Sequence, residues 1–252
     1  MAFDAPTSAA GPEPDVSVVA PVYNEADCIE GVVRYWNEVL DGWAVTSEIV
    51  LGNDGSTDAT GSILERLSDE LPRLRVVTRE KNGGYGAALA SAISGSRGAV
   101  VVTLDSDGQF DLADARGLMD RLGADGLDAV TGRRASKRDS LMRVLADRML
   151  NRLVRLMFGV KLRDTNCALK VIRGELARGL RIEARGFPTP TEIVLKLAAA
   201  GGRVGEETVS HAERQAGASK LKVWRTGLDM WRFLWYLRRK IKLYRRGVIQ
   251  QL

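Results

Sequence analysis

The first half of the chain alternates short apolar runs with helical patterns. Val16–Ala20 is β-branched and predicts a strand, and Asp27–Leu40 then places Ile29, Val32, Val33, Trp36, Val39 and Leu40 on one helical face. Glu48–Leu51 predicts a second strand. The turn cluster Asn53-Asp54-Gly55-Ser56-Thr57-Asp58 follows it and caps a helix running to about Leu71. Leu74–Val77 is a third strand, and 84–96 a helix of small residues. Ala99–Leu104 is an apolar run that fits a strand buried on both faces. A helix over 111–122 and a short strand over 128–131 complete the alternation. This order predicts a mostly parallel α/β sheet with helices on both faces, whose ligands bind at the carboxyl ends of the strands. Four loops lie there: 21–25, 52–58, 79–84 and 105–109.

Beyond residue 132 the pattern changes. Lys137–Phe158 reads as a basic amphipathic helix, Thr189–Ala200 as a helix, and Arg203–Val209 as a strand. Leu221–Arg246 reads as a closing helix with nine Lys/Arg, one acid (Asp229) and Trp224, Trp231 and Trp235 among its apolar residues. The expected division is a disordered lead-in over 1–14, a main domain over 15–220 and an amphipathic helix over 221–252. Within the main domain, 15–131 and 132–220 differ in character.

Charge sharpens that difference. Residues 1–120 carry 8 Lys+Arg against 20 Asp+Glu, and residues 121–252 carry 29 against 12. The acidic half can hold a cation. The basic half should attract an anion, whether a phosphorylated substrate, a nucleic acid or an anionic membrane surface, or else it is one solvated face. Two cysteines, far apart, exclude a disulfide scaffold and a cysteine zinc site. A single histidine, His211, excludes paired-histidine zinc motifs. No run of 18 apolar residues exists, and the first residues lack the pattern of a signal peptide, so a cytoplasmic location is expected.

Candidate chemistry gathers in the four loops. Asp105 and Asp107 leave the most apolar strand at i and i+2, with Gln109 two residues on. Three oxygen ligands at that spacing suit Mg²⁺ or Mn²⁺, which complete their shells with water and phosphates; a solvated turn is the plainer alternative. Asp54 could accept from a base N–H or a ribose hydroxyl, while Asp58 suits a helix cap. Tyr23 could cover a base, and Glu25 could accept from a sugar. Gly84-x-Gly86 before a helix hints at phosphate binding, yet Leu89 replaces the third glycine of a dinucleotide fingerprint, and tight helix packing explains the glycines equally well.

The joint order of VSVVAPVYNE, EIVLGNDGSTDAT, REKNGGYGAALASAISGSRG and VVVTLDSDGQF resembles the family 2 glycosyltransferases, enzymes of the Rossmann-like GT-A fold. Asn53 stands where that family usually has Asp. Downstream, Thr131-Gly132-Arg133-Arg134, Arg138-Asp139-Ser140, Asp164–Lys170, His211–Arg214 and Gly217–Lys220 look like the dolichol- and polyprenyl-phosphate glycosyltransferases, with Ala168 in place of the usual glycine.

The resemblance implies a nucleotide-sugar donor (GDP-mannose, UDP-glucose or UDP-N-acetylglucosamine), a polyprenyl-phosphate acceptor and an inverting displacement. It implies a metal on Asp105, Asp107 and Gln109. Donor contacts would come from Pro21, Tyr23, Glu25, Asp54, Lys81, Gly84, Asp105 and Ser106, and acceptor contacts from Arg133, Arg134, Ser140, Glu192, Arg214 and Lys220. Asp107, Arg133, Arg214 and Lys220 carry the reaction. Glu192 is equally readable as the start of a helix, and His211 as a structural ring.

With a lipid acceptor, the closing helix is expected to dock on an anionic bilayer, on the cytoplasmic face; packing on the domain or on a second copy of the chain is the alternative. A glycan, protein or other lipid acceptor is a second reading. A nucleic-acid or membrane-binding module is a third, and the carboxylates in four strand-end loops argue against it.

Overall fold

The computed structural model describes residues 13–135, 141–212 and 223–252. The lead-in over 1–12 and the expected site residues Ser140, Arg214 and Lys220 lie outside them. Pro14, expected in the lead-in, is already part of the fold: it is buried, and its carbonyl accepts the N–H of Ala99.

Seven strands form one sheet: β1 (Val16–Val22), β2 (Ser47–Asn53), β3 (Leu74–Thr78), β4 (Val100–Thr103), β5 (Ala129–Arg134), β6 (Lys170–Arg173) and β7 (Val204–Val209). Their spatial order is β3-β2-β1-β4-β6-β5-β7. β1 pairs in parallel with β2 and β4, β2 with β3, and β5 with β7, whereas β6 is antiparallel to both β4 and β5. Six strands therefore point one way, and their carboxyl ends share a rim with the start of β6. Every residue of β1 is buried, as expected of a strand with neighbours on both sides and helices on both faces.

The helices are α1 (Ile29–Asp41), α2 (Thr60–Glu70), α3 (Tyr85–Gly95), α4 (Ala115–Ala124), α5 (Leu141–Phe158), α6 (Gly174–Gly179), α7 (Thr189–Ala199) and α8 (Val223–Arg245). α1 buries Ile29, Val32, Val33, Trp36 and Leu40, the face its spacing predicts. These residues join Val18, Ile49, Leu51, Leu64, Leu67, Leu118 and Leu122 in the larger core on one side of the sheet. On the other side Leu89, Ala92 and Ile93 of α3 meet Val19, Val50, Val101, Ile172 and Ile193. A third cluster joins α5, α7 and α8 through Val154, Leu195, Met230, Leu234, Leu237 and Ile241. The closing helix is therefore built into the fold by one face. Its Trp231 and Trp235 lie on the other, 50% and 45% exposed.

Two elements are absent from the sequence reading. β6 is only four residues long and runs against its neighbours, so the alternation of strand and helix does not announce it. α6 follows it directly, because Gly174 brings the chain against the carbonyl of Gly98. Among the described residues no helix is long and apolar enough to cross a membrane.

Candidate active site

The rim is a network of loops that hold one another. Asn24, at φ 53°, accepts the Thr57 N–H at 2.8 Å and receives the Ser56 hydroxyl as acceptor for its own N–H, joining the loops after β1 and β2. Asp58, expected as a helix cap, lies one residue before the N-cap Ala59; its carboxylate accepts the N–H groups of Thr60 and Ala26 at 3.0 and 3.3 Å. Ser106 is buried and donates to the Pro21 carbonyl at 2.8 Å, which fixes the loop after β4 against the end of β1. Both residues are thus buried, and their contact holds the backbone of two rim loops together. Tyr23 is 38% exposed, Glu25 is half-buried with its N–H on the Thr60 hydroxyl, and Lys81 is exposed.

Asp105 and Asp107 stand beyond β4, half-buried. The Tyr85 hydroxyl donates to Asp105 Oδ1 at 2.8 Å. Burial first, then the Asp105 carboxylate, pushes the Tyr85 phenol well above its ordinary range. Asp107 Oδ1 accepts the Gln109 N–H at 3.1 Å, closing a turn in which Gly108 takes φ 75°, a conformation suited to glycine. Gln109 is then tied to the segment after β7: its carbonyl accepts the Ala212 N–H, and its side-chain amide donates to the Ala212 carbonyl at 3.3 Å. The neighbouring His211 packs edge-on to Phe110, with ring centroids 4.9 Å apart, a structural contact.

Among the described residues no group of three or more His, Cys, Asp or Glu gathers to hold a metal. What the rim offers is two carboxylates and one amide, all oxygen donors. Such a sparse, hard set fits Mg²⁺ or Mn²⁺, which keep waters and substrate phosphates as ligands.

Several expected ligand residues make contacts within the fold. Asp54 is buried, and its carboxylate accepts the N–H groups of Gly83 and Gly84 at 2.9 and 2.7 Å, with Arg79 Nε 3.0 Å away. Its oxygens thus hold the loop before α3, and one of them engages the backbone N–H of Gly84. The glycines there serve packing. A Cβ on Gly84 would lie 2.3 Å from the Arg185 carbonyl oxygen, and one on Gly86 would lie 1.8 Å from that of Ala184.

Glu192 differs from its expected acceptor role in the same way. It is fully buried, accepts the N–H groups of Glu183 and Ala184, and pairs with the buried Lys196 at 2.7 Å. It holds the 183–185 segment down on α3. Glu183 also receives Lys196, Lys240 and the Tyr236 hydroxyl. Burial works to raise its carboxyl, but the lysine hydrogen bonds outweigh that and hold it down at about 2.

On the basic side, Arg133 at the end of β5 is half-exposed and donates to the Thr208 hydroxyl at 2.7 Å. Arg134 points inward and pairs through two nitrogens with the buried Asp164, at 2.7 and 2.9 Å. Arg134 therefore anchors the 164–168 segment, instead of presenting an exposed guanidinium to an acceptor. Asn151 of α5 accepts both the N–H and the hydroxyl of Thr165, securing the same segment from another helix.

Sequence reasoning did not single out Tyr85 or Lys170. Lys170 is buried at the start of β6, donating to the Thr131 hydroxyl and the Cys167 carbonyl. Burial lowers it to about 8 and raises the Cys167 thiol to about 12. A lysine amid Ala168, Leu169, Val171 and Ile172 was the available signal, since an isolated charge in an apolar run has to be paired.

Residues 17–171 match the model of the glycosyl transferase family 2. The chain is 29% identical over 236 residues to dodecaprenyl-phosphate galacturonate synthase of Rhizobium johnstonii, covering 90% of this chain and 69% of that one. It is 34% identical over 207 residues to undecaprenyl-phosphate 4-deoxy-4-formamido-L-arabinose transferase of Edwardsiella ictaluri, covering 81% and 62%. It thus spans between three-fifths and seven-tenths of the length of these relatives. Its fold is that of glucosyl-3-phosphoglycerate synthase of Mycobacterium tuberculosis, solved with Mn²⁺, UDP-glucose and phosphoglyceric acid, at TM-score 0.71 and 21% identity over 89% of this chain and 80% of that one. With more than half its length matched by the family model, the chain belongs to family 2 of the glycosyltransferases.

Proposed function

We propose that the protein transfers a sugar, with inversion, from a nucleotide-sugar to a polyprenyl phosphate at a membrane surface. The observation that supports this reading is that Asp105, Asp107 and Gln109 follow β4 at the same sheet rim as the end of β5, two strands away, which carries the half-exposed Arg133. The names of the polyprenyl-phosphate relatives point to the same acceptor class.

In this reading an acceptor phosphate oxygen attacks the anomeric carbon, and the bond to the nucleoside diphosphate breaks on the opposite face. A divalent cation would neutralise the charge growing on the departing diphosphate. Asp105, Asp107 and Gln109 would hold it through oxygen. Arg133, with Arg214 and Lys220, would place the acceptor phosphate. That phosphate is already anionic near neutral pH, so the site needs little help from a general base. Tyr23 and Glu25 would meet the nucleoside. The test is a melting-temperature panel of GDP-mannose, UDP-glucose, UDP-N-acetylglucosamine and the bare diphosphates, with and without Mn²⁺. Binding to the native state raises the melting temperature by mass action. A Mn²⁺-dependent rise with one base is expected, followed by transfer of labelled sugar into a polyprenyl-phosphate extract. No rise with any of them would defeat the reading.

Membrane docking is supported by the outer faces of α5 and α8. Leu228, Trp231 and Trp235 follow one another along α8, with Arg238 over the Trp235 ring at 5.8 Å. On α5, Met149 and Leu156 are more than 70% exposed among Arg148, Arg152 and Arg155. Apolar residues interleaved with arginines suit the boundary of an anionic bilayer. Through Tyr236 and Lys240, α8 also grips the Glu183 segment that lies on the rim. Removing α8 would strip the core formed with α5 and α7, so the test is a surface change. Trp231→Ser with Trp235→Ser should reduce sedimentation with phosphatidylglycerol vesicles at least about tenfold while the melting temperature stays within a few degrees. Equal vesicle binding by both forms would favour packing against another protein.

A further inference from the structure

We propose that Tyr85 is a positioning residue that sets how Asp105 meets a divalent cation, and thereby which cation the site prefers. This rests on the metal reading of Asp105 given above.

Tyr85 is the first residue of α3, and the backbone on either side of it is fixed. Gly83 and Gly84 are held by the Asp54 carboxylate. Gly84 and Gly86 lie so close to the carbonyls of Arg185 and Ala184 that neither has room for a Cβ. The ring packs against the cluster of Leu89, Ala92 and Ile193. Two side-chain torsions then set where the hydroxyl lies. The hydroxyl reaches Asp105 Oδ1 at 2.8 Å from a backbone that is held on both sides.

A carboxylate anchored in this way is fixed in rotation. It also has one oxygen engaged by a donor, so chelation of a cation by both oxygens would have to compete with the phenol. A single-oxygen contact suits Mg²⁺ and Mn²⁺, which take short bonds in an octahedral shell. Ca²⁺ accepts bidentate carboxylates and larger, looser shells. Partners that orient a ligating carboxylate commonly change metal affinity by one to two orders of magnitude.

The test is Tyr85→Phe, which keeps the ring and removes only the oxygen. Mn²⁺ and Ca²⁺ are titrated calorimetrically into the protein saturated with UDP, and separately with GDP. The expected result is Mn²⁺ binding weakened about tenfold, with Ca²⁺ binding unchanged or tighter, so that the preference for Mn²⁺ falls. Turnover lost at low Mn²⁺ should return at high Mn²⁺, with the melting temperature without ligand unchanged. In an Asp105→Asn background Tyr85→Phe should change Mn²⁺ affinity no further. Equal Mn²⁺ affinity in the two proteins would overturn the inference. So would a parallel loss for both cations, whatever the melting temperature. If the wild-type protein itself bound no Mn²⁺ with either diphosphate, the metal reading of the site would fail first.

Discussion

Asp107→Ala should lower sugar transfer by about a thousandfold or more, because in the proposed site it removes one of the carboxylates that would hold the cation neutralising the departing diphosphate. The fold should survive the change. Asp107 is half-buried, and the hydrogen bond it accepts from Gln109 closes a local turn, an interaction of about 1 kcal/mol. The melting temperature without ligand should therefore move by only a few degrees, while the Mn²⁺-dependent part of the nucleotide shift disappears. Asp107→Asn separates the two contributions. The amide oxygen can still accept the Gln109 N–H, so the turn is kept and only the charge is lost. Transfer should fall in Asn nearly as far as in Ala. Near wild-type turnover in purified Asp107→Asn would remove this carboxylate from the site, whatever the alanine variant did.

The same residue shows what the sequence reveals and what it withholds. Asp107 is local: its strand, its turn and its neighbour Gln109 lie within a few positions, and apolar periodicity places all of them. The β-strands of the first half and the helix faces are legible for the same reason. Asp54, Gly84 and Glu192 are different. As residue types at a rim they read as ligands, yet each is spent on backbone. Asp54 meets Gly84, 30 positions away, and Gly84 meets Arg185, a hundred positions away. Local spacing gives the chemistry of a side chain but not the partner that the fold brings to it.

β6 escaped for a related reason. Its pairing with β4 and β5 joins residues 70 and about 40 positions apart, and the antiparallel direction breaks the alternation. Once β6 is placed, the basic half gains a scaffold: Asp164 and Thr165 enter the rim because the chain must return there to begin this strand. The closing helix was read as choosing between a membrane and the domain. One face, with Leu234, is buried on the domain, and another leaves Trp231 and Trp235 exposed.

The largest loss of stability should come from Glu192→Ala. Glu192 and Lys196 are one turn apart on α7, and both are essentially without solvent exposure. Truncating the carboxylate leaves the Lys196 ammonium with Glu183 and the Arg181 carbonyl, and it leaves the N–H groups of Glu183 and Ala184 without their acceptor. Removing one partner of a buried pair costs about 3–5 kcal/mol, since the remaining charge stays out of water. A domain that is stable by roughly 5–15 kcal/mol would lose a large share of that.

The urea midpoint should drop sharply. Lys240→Ala should cost less, because Lys240 is partly exposed and Glu183 keeps Lys196. The consequences should also reach the rim. The 183–185 segment sits on Gly84 and Gly86, and those glycines carry the backbone that presents Tyr85 to Asp105. In Glu192→Ala protein that remains folded at low temperature, Mn²⁺ affinity should therefore fall with stability. A variant that lost several kcal/mol yet bound Mn²⁺ and nucleotide as tightly as the wild type would show that the segment supports the core alone.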